Sequence, residues 1–131
     1  MHSTIKVLLI IAGLALAEGA ALGAWGAHGA TKVLSEAKLR SWEIAVQYQL
    51  IHGLGIVAIC LLHNQFPMKL LRVTGILMLI GIALFCGSIY INALGGPKWL
   101  GMIAPIGGSS LIISWTLLAI AAWKINSEAS T

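Results

Sequence analysis

IKVLLIIAGLALAEGAALGAW, Ile5 to Trp25, is the stretch on which the fold turns. It has the length and apolar character of a helix crossing ~30 Å of hydrocarbon, which takes ~20 residues. The longer segment MHSTIKVLLIIAGLALAEG has a second reading, as a secretory leader. Lys6 precedes an apolar core, and the small-residue triplet Ala15-Leu16-Ala17 stands just before Glu18. Cleavage there would discard the helix. The apolar, glycine-rich pattern runs on without a break through Gly23 to Trp25, so the segment is read as a retained membrane span.

Working outward, three more apolar runs of similar length follow, over residues 44–62, 70–94 and 100–123. Hydrophobic residues make up 59% of the chain and charged residues 9%, with a mean hydropathy of +0.94. Soluble domains carry roughly a quarter charged residues. The expected fold is all-α, an antiparallel four-helix transmembrane bundle with a short amphipathic segment between helices 1 and 2. Residues 1–131 form one integral membrane domain in this reading. An even number of spans puts both termini on one side, here side A. The other face is side B.

The net charge of +4 does not point to nucleic acid, because the basic residues stand at helix ends, where they anchor spans. Lys6, Lys69, Arg72 and Lys124 fall on side A and Lys32, Lys38, Arg40 and Lys98 on side B. This tie leaves the cytoplasmic side unassigned. Trp25, Trp42, Trp99 and Trp123 are expected at the interfaces as an aromatic belt, and Trp115 inside a span.

The connections have their own signals. Ser35 is placed to cap a helix starting near Glu36 and ending near His63. Pro67 separates helices 2 and 3, and LGGPKW, Leu94 to Trp99, makes a turn before helix 4. Pro105, Gly107 and Gly108 predict a kink or an unwound turn in helix 4. Ala15, Gly19, Gly23 and Ala27 recur at every fourth position and offer helix 1 a close-packing stripe. The stretch GAWGAHGA, Gly23 to Ala30, is then the close-packed exit of helix 1, with the helix 4 break expected against it and His28 over the mouth of a polar site.

That site is the main functional expectation. At ~1.5 Å of rise per residue, Glu18 lies ~10 Å below side B, Gln49 ~6 to 9 Å, His52 ~14 Å, Ser88 and Asn92 ~3 to 9 Å, and Ser109 ~14 Å. Tyr48, Gln49 and His52 are assigned to one face of helix 2, and Ser88 and Asn92 to an i, i+4 pair on helix 3. The candidate cluster is therefore Glu18, His28, Tyr48, Gln49, His52, Ser88, Asn92 and Ser109, opening toward side B. An ionisable group at such depth must be neutral, paired or wetted. Glu18 then either fixes helix register through a hydrogen bond to His52, Tyr48 or backbone near Pro105, or exchanges charge with His52 in a proton or ligand site, or meets a protein partner.

Other chemistries find no support. His2 and His63 belong to side A while His28 and His52 differ in depth, so no metal site is expected. Cys60 and Cys86 are too far apart in depth for a disulfide and are read as apolar helix residues. No nucleophile with its base, phosphate loop or metalloprotease helix is present, so no catalytic residues and no cofactor are expected.

In combination, GAWGAHG (Gly23 to Gly29), Tyr48-x-x-x-His52, LFCGSIY (Leu84 to Tyr90) followed by Asn92-Ala-Leu-Gly-Gly, and LGMIAPIGG (Leu100 to Gly108) with Trp115 resemble the small four-helix membrane proteins of the YgdD type. This bacterial family of unknown function has eukaryotic relatives in transmembrane protein 256. The resemblance covers nearly the whole chain. Trp25 stands where the family usually has Phe, Ala104 where it often has Thr, and Gly53 where Ala commonly follows the histidine. The resemblance implies a retained first helix, no established enzyme activity and a suggested role in membrane integrity.

The expected function is that of a non-catalytic multi-pass protein of the bacterial inner membrane, a structural or accessory component of a membrane assembly or of membrane integrity. Its expected partners are membrane lipids and a homo-oligomer or larger membrane complex, with no nucleic acid. The alternatives are a small transport or proton-linked protein and a lipid-binding protein, each using the polar cluster around Glu18 and His52.

Overall fold

The computed structural model describes the backbone of residues 1–129 and consists of four long helices joined by short turns. They are α1 (Ser3–His28), α2 (Glu36–Gln65), α3 (Lys69–Ala93) and α4 (Ile103–Ala129). All four are long and apolar enough to cross a membrane. Ser130 and Thr131, the end of the tail expected on side A, lie outside the described residues.

Local chemistry sets the helix ends. The His2 imidazole accepts a hydrogen bond from the Thr4 N–H at 3.1 Å and opens α1. Ser35 caps α2 as expected, its hydroxyl accepting from the Lys38 N–H at 3.3 Å. The amphipathic stretch after α1 is a single 3₁₀ turn, Ala30–Lys32, followed by the first turns of α2, which begin at Glu36. In the turn after α3, Gly95 takes a φ of +97°, a conformation that side chains with a Cβ resist.

The helices pack in chain order. α1 lies along α2, α2 along α3, and α3 along α4, while α1 touches α3 lightly and forms no seam with α4 among the described residues. This arrangement differs from the expected approach of helix 1 to the helix 4 proline-glycine segment. The glycines at the exit of α1 serve α2 instead. A Cβ at Gly23 would stand 3.1 Å from Val46, and one at Gly26 would stand 3.0 Å from the Trp42 ring.

Helix 4 also departs from expectation, because it is continuous from Ile103 and has no break. Pro105 sits in its first turn, where backbone N–H groups have no intrahelical acceptor and the missing donor costs nothing. Gly107 has a different use. It presses on the α3 backbone at Leu84 and Phe85, leaving no room for a Cβ. Inter-helix polar bonds reinforce these seams: the Ser110 hydroxyl donates to the Leu77 carbonyl at 2.7 Å. The Cys86 thiol points to the Ala45 carbonyl at 3.3 Å, and Cys60 to that of Ile5 at 3.7 Å. Both thiols are free and buried.

Candidate functional site

One turn of α2 divides the expected cluster in two. Each residue advances ~100° around a helix, so Gln49 faces away from Tyr48 while Tyr48 and His52, four apart, stay together. Gln49 is 2% exposed and lies between α1 and α3. Its amide nitrogen donates to the Ala15 carbonyl at 2.8 Å and to the Glu18 carboxylate at 3.1 Å, while its amide oxygen accepts from the Tyr90 hydroxyl at 2.7 Å. Three helices thus meet at one carboxamide.

Trp42 extends this centre toward side B. It is 2% exposed rather than part of an interfacial belt. The reason is local: its indole N–H donates to the Leu22 carbonyl at 2.9 Å, and Gly26 leaves space for the ring. Trp25 and Tyr90 flank it with ring centroids 4.9 and 4.7 Å away. Tyr90 and Trp42 were not among the expected site residues. The available signal was that a phenol within an apolar span needs a partner, and Gln49 lies at a similar depth.

Glu18 is therefore held by Gln49, and not by His52, Tyr48 or the backbone near Pro105. The carboxylate is exposed on the outer face of α1, and Gln49 supplies its one hydrogen bond among the described residues. Since α1 and α4 sit on opposite flanks, Glu18 has no route to the start of α4.

The second constellation lies between α2 and α4. The Nδ1 atom of His52 is 2.7 Å from the Tyr48 carbonyl. A carbonyl only accepts, so Nδ1 carries a proton; apolar surroundings disfavour a second one, and the neutral ring keeps a lone pair on Nε2. The Tyr48 ring stacks on His52 at 5.3 Å and lies 4.7 Å from Phe85, while Trp115 packs against His52 at 5.6 Å. A groove of about 440 Å³ runs over these rings, bounded below by Gly108 and Leu111.

The remaining expected residues do not join either centre. His28 is exposed at the end of α1, where its carbonyl accepts from the Thr31 hydroxyl at 3.2 Å. Ser88 is buried but donates to the Phe85 carbonyl at 3.0 Å and does not bond Asn92. Ser109 is exposed and donates within its own helix to the Pro105 carbonyl at 2.8 Å. Ser88 and Asn92 do line a separate cavity of about 280 Å³ at side B, with Lys38 and Ser41 of α2 and Gly101 and Ala104 opposite. The Asn92 carboxamide has no protein partner among the described residues. On side A, Arg72 approaches His63 Nε2 at 3.1 Å, and the His2 and His63 rings lie 5.8 Å apart.

No solved structure matches the chain. A family model described as a protein of unknown function (DUF423) matches residues 22–108, which include Gln49, His52, Phe85 and Tyr90. A UPF0382 membrane protein of Staphylococcus saprophyticus is 40% identical over 92% of this chain and 99% of its own length. UPF0382 membrane protein YwdK of Bacillus subtilis is 36% identical over 91% of this chain and 98% of its own. A counterpart in Haemophilus influenzae is 38% identical over 82% of this chain and 86% of its own. Four membrane-spanning helices, full-length similarity to these proteins and a family match across the packed centre together mean that the chain belongs to the DUF423/UPF0382 family of membrane proteins of unknown function.

Proposed function

We propose that the chain is a non-catalytic, structural or accessory component of a membrane assembly in the bacterial cytoplasmic membrane. The observation that carries this reading is the outer face of α1. Ala17, Glu18, Ala20, Ala21 and Ala24 are all exposed there, a flat surface of small residues around one carboxylate. Facing lipid, a carboxylate at the helix centre costs ~2.5 to 3.5 kcal/mol even on the lower insertion scales. A second helix laid on the alanines approaches closely enough to give Glu18 further hydrogen-bond donors. The bacterial relatives and the helical spans support the cytoplasmic membrane as its location, since outer-membrane proteins are typically β-barrels. The resemblance to YgdD-type proteins, with their suggested role in membrane integrity, supports the same reading.

The test is purification in mild detergent followed by intact-complex mass analysis of the parent and Ala21→Leu. Recovery of the parent with copies of itself or with a foreign subunit, lost on placing a leucine on the exposed face, is the expected result. A parent recovered as a lone chain refutes the assembly reading.

The side B cavity favours a second reading, lipid binding. Asn92 offers a free carboxamide inside it, and Lys38 on the first turns of α2 offers a cation at interfacial depth. A lipid phosphate fits that pair. Retention of an anionic lipid by the parent, reduced in a Lys38→Ala, Asn92→Ala double variant, is the expected outcome.

A further inference from the structure

The groove between α2 and α4 contains a feature that helix packing does not require. His52 is 6% exposed, its Nδ1 hydrogen is committed to the Tyr48 carbonyl, and its Nε2 atom has no protein partner among the described residues. The residue lines the groove directly. An acceptor on a buried residue is thus presented to a space walled by the rings of Tyr48, Phe85 and Trp115.

Depth and wall chemistry restrict what enters. The rise from Glu36 to His52 is ~24 Å of a helix ~45 Å long, which places the imidazole near the bilayer centre. Charged headgroups do not reach that depth at acceptable cost. Uncharged, lipid-soluble molecules do. Three aromatic walls favour a flat π-system, which stacks or packs edge to face, over a saturated alcohol. The Nε2 lone pair requires a hydrogen-bond donor, which a hydroxyl supplies and a carbonyl does not. No water competes for the acceptor in hydrocarbon, so the bond discriminates strongly between molecules with and without a donor. A volume of about 440 Å³ lies in the range of small-molecule sites and holds a substituted ring with the start of its tail.

We propose that this groove binds an uncharged, lipid-soluble aromatic alcohol of the quinol type, with His52 Nε2 accepting a hydrogen bond from the ring hydroxyl. Tyr48, Phe85 and Trp115 hold the ring, and the tail leaves past exposed Ile112 toward lipid. The groove selects the reduced, hydroxyl-bearing form over the oxidised, carbonyl-bearing one.

The experiment is equilibrium binding of decylubiquinol, its dimethyl ether and decylubiquinone to the full chain in lipid nanodiscs. The parent should bind the quinol saturably and about five- to tenfold more tightly than either the ether or the quinone, the loss expected for one hydrogen bond. His52→Leu, which keeps bulk and removes the acceptor, should bind all three alike. Ile112→Trp adds bulk at a lipid-exposed position and should weaken all three while leaving thermal unfolding unchanged. If His52→Leu fails to fold, the ether comparison on the parent and the Ile112→Trp result decide the matter. Absence of saturable binding overturns the proposal. So does equal affinity of the parent for quinol and ether, or binding unaffected by Ile112→Trp, which would place the ligand elsewhere.

Discussion

Gln49 brings two amide hydrogens and an acceptor oxygen into the membrane interior, and all are used on neighbouring helices. Gln49→Leu removes all three bonds and leaves the Tyr90 hydroxyl buried without an acceptor. It should destabilise the protein in detergent by about 1 to 3 kcal/mol, read as a lower midpoint of thermal unfolding. Tyr90→Phe removes one bond and should cost about 1 kcal/mol or less. The order of the two losses is the check, and equal losses would mean that Gln49 acts through Tyr90 alone. Glu18→Gln retains a carbonyl oxygen for the Gln49 amide and should leave the unfolding midpoint nearly unchanged, because the carboxylate does not pair with His52.

Among the elements, α4 shows how position in a helix changes the meaning of a residue. Pro105 within an apolar run reads as a kink, yet in the first turn it meets no carbonyl it should have bonded. Pro105→Ala should accordingly change stability by less than about 1 kcal/mol. The two glycines that follow differ sharply from each other. A Cβ at Gly107 collides with the α3 backbone, which has no flexible end to give way, whereas a Cβ at Gly108 stands at an ordinary 3.6 Å from the Phe85 ring. Gly107→Ala should destabilise by about 1 to 3 kcal/mol or more, and Gly108→Ala by much less, in parallel melts of the two variants. The chain shows both glycines side by side, but only the seam with α3 distinguishes them.

For the whole molecule, the alternation of four spans makes a labelling prediction. Single cysteines at Ser3 and Gln65 should react with an impermeant reagent from one face of the membrane, and cysteines at Thr31 and Lys98 from the other. The native Cys60 and Cys86 are buried and should stay silent. Span number, the Ser35 cap and the turn glycines were all legible in the sequence, because each depends on neighbours along the chain: run length against bilayer thickness, a hydroxyl three residues before an N–H, glycines beside a proline. The partners of Glu18, Gln49 and His52 were not. A span that is apolar around most of its circumference does not mark which face packs, and in lipid no hydrophobic force sorts one face from another. Close packing made that choice. Gly23 and Gly26 admitted α2, so Gln49 turned to Glu18 and Tyr90, while the adjoining face of the same helix carried His52 to Trp115. The sequence by itself determined the four apolar spans, because run length is read against bilayer thickness; the tertiary structure decided that the polar residues of α2 part into two constellations, because helices joined in chain order keep α1 and α4 on opposite flanks of the α2–α3 pair.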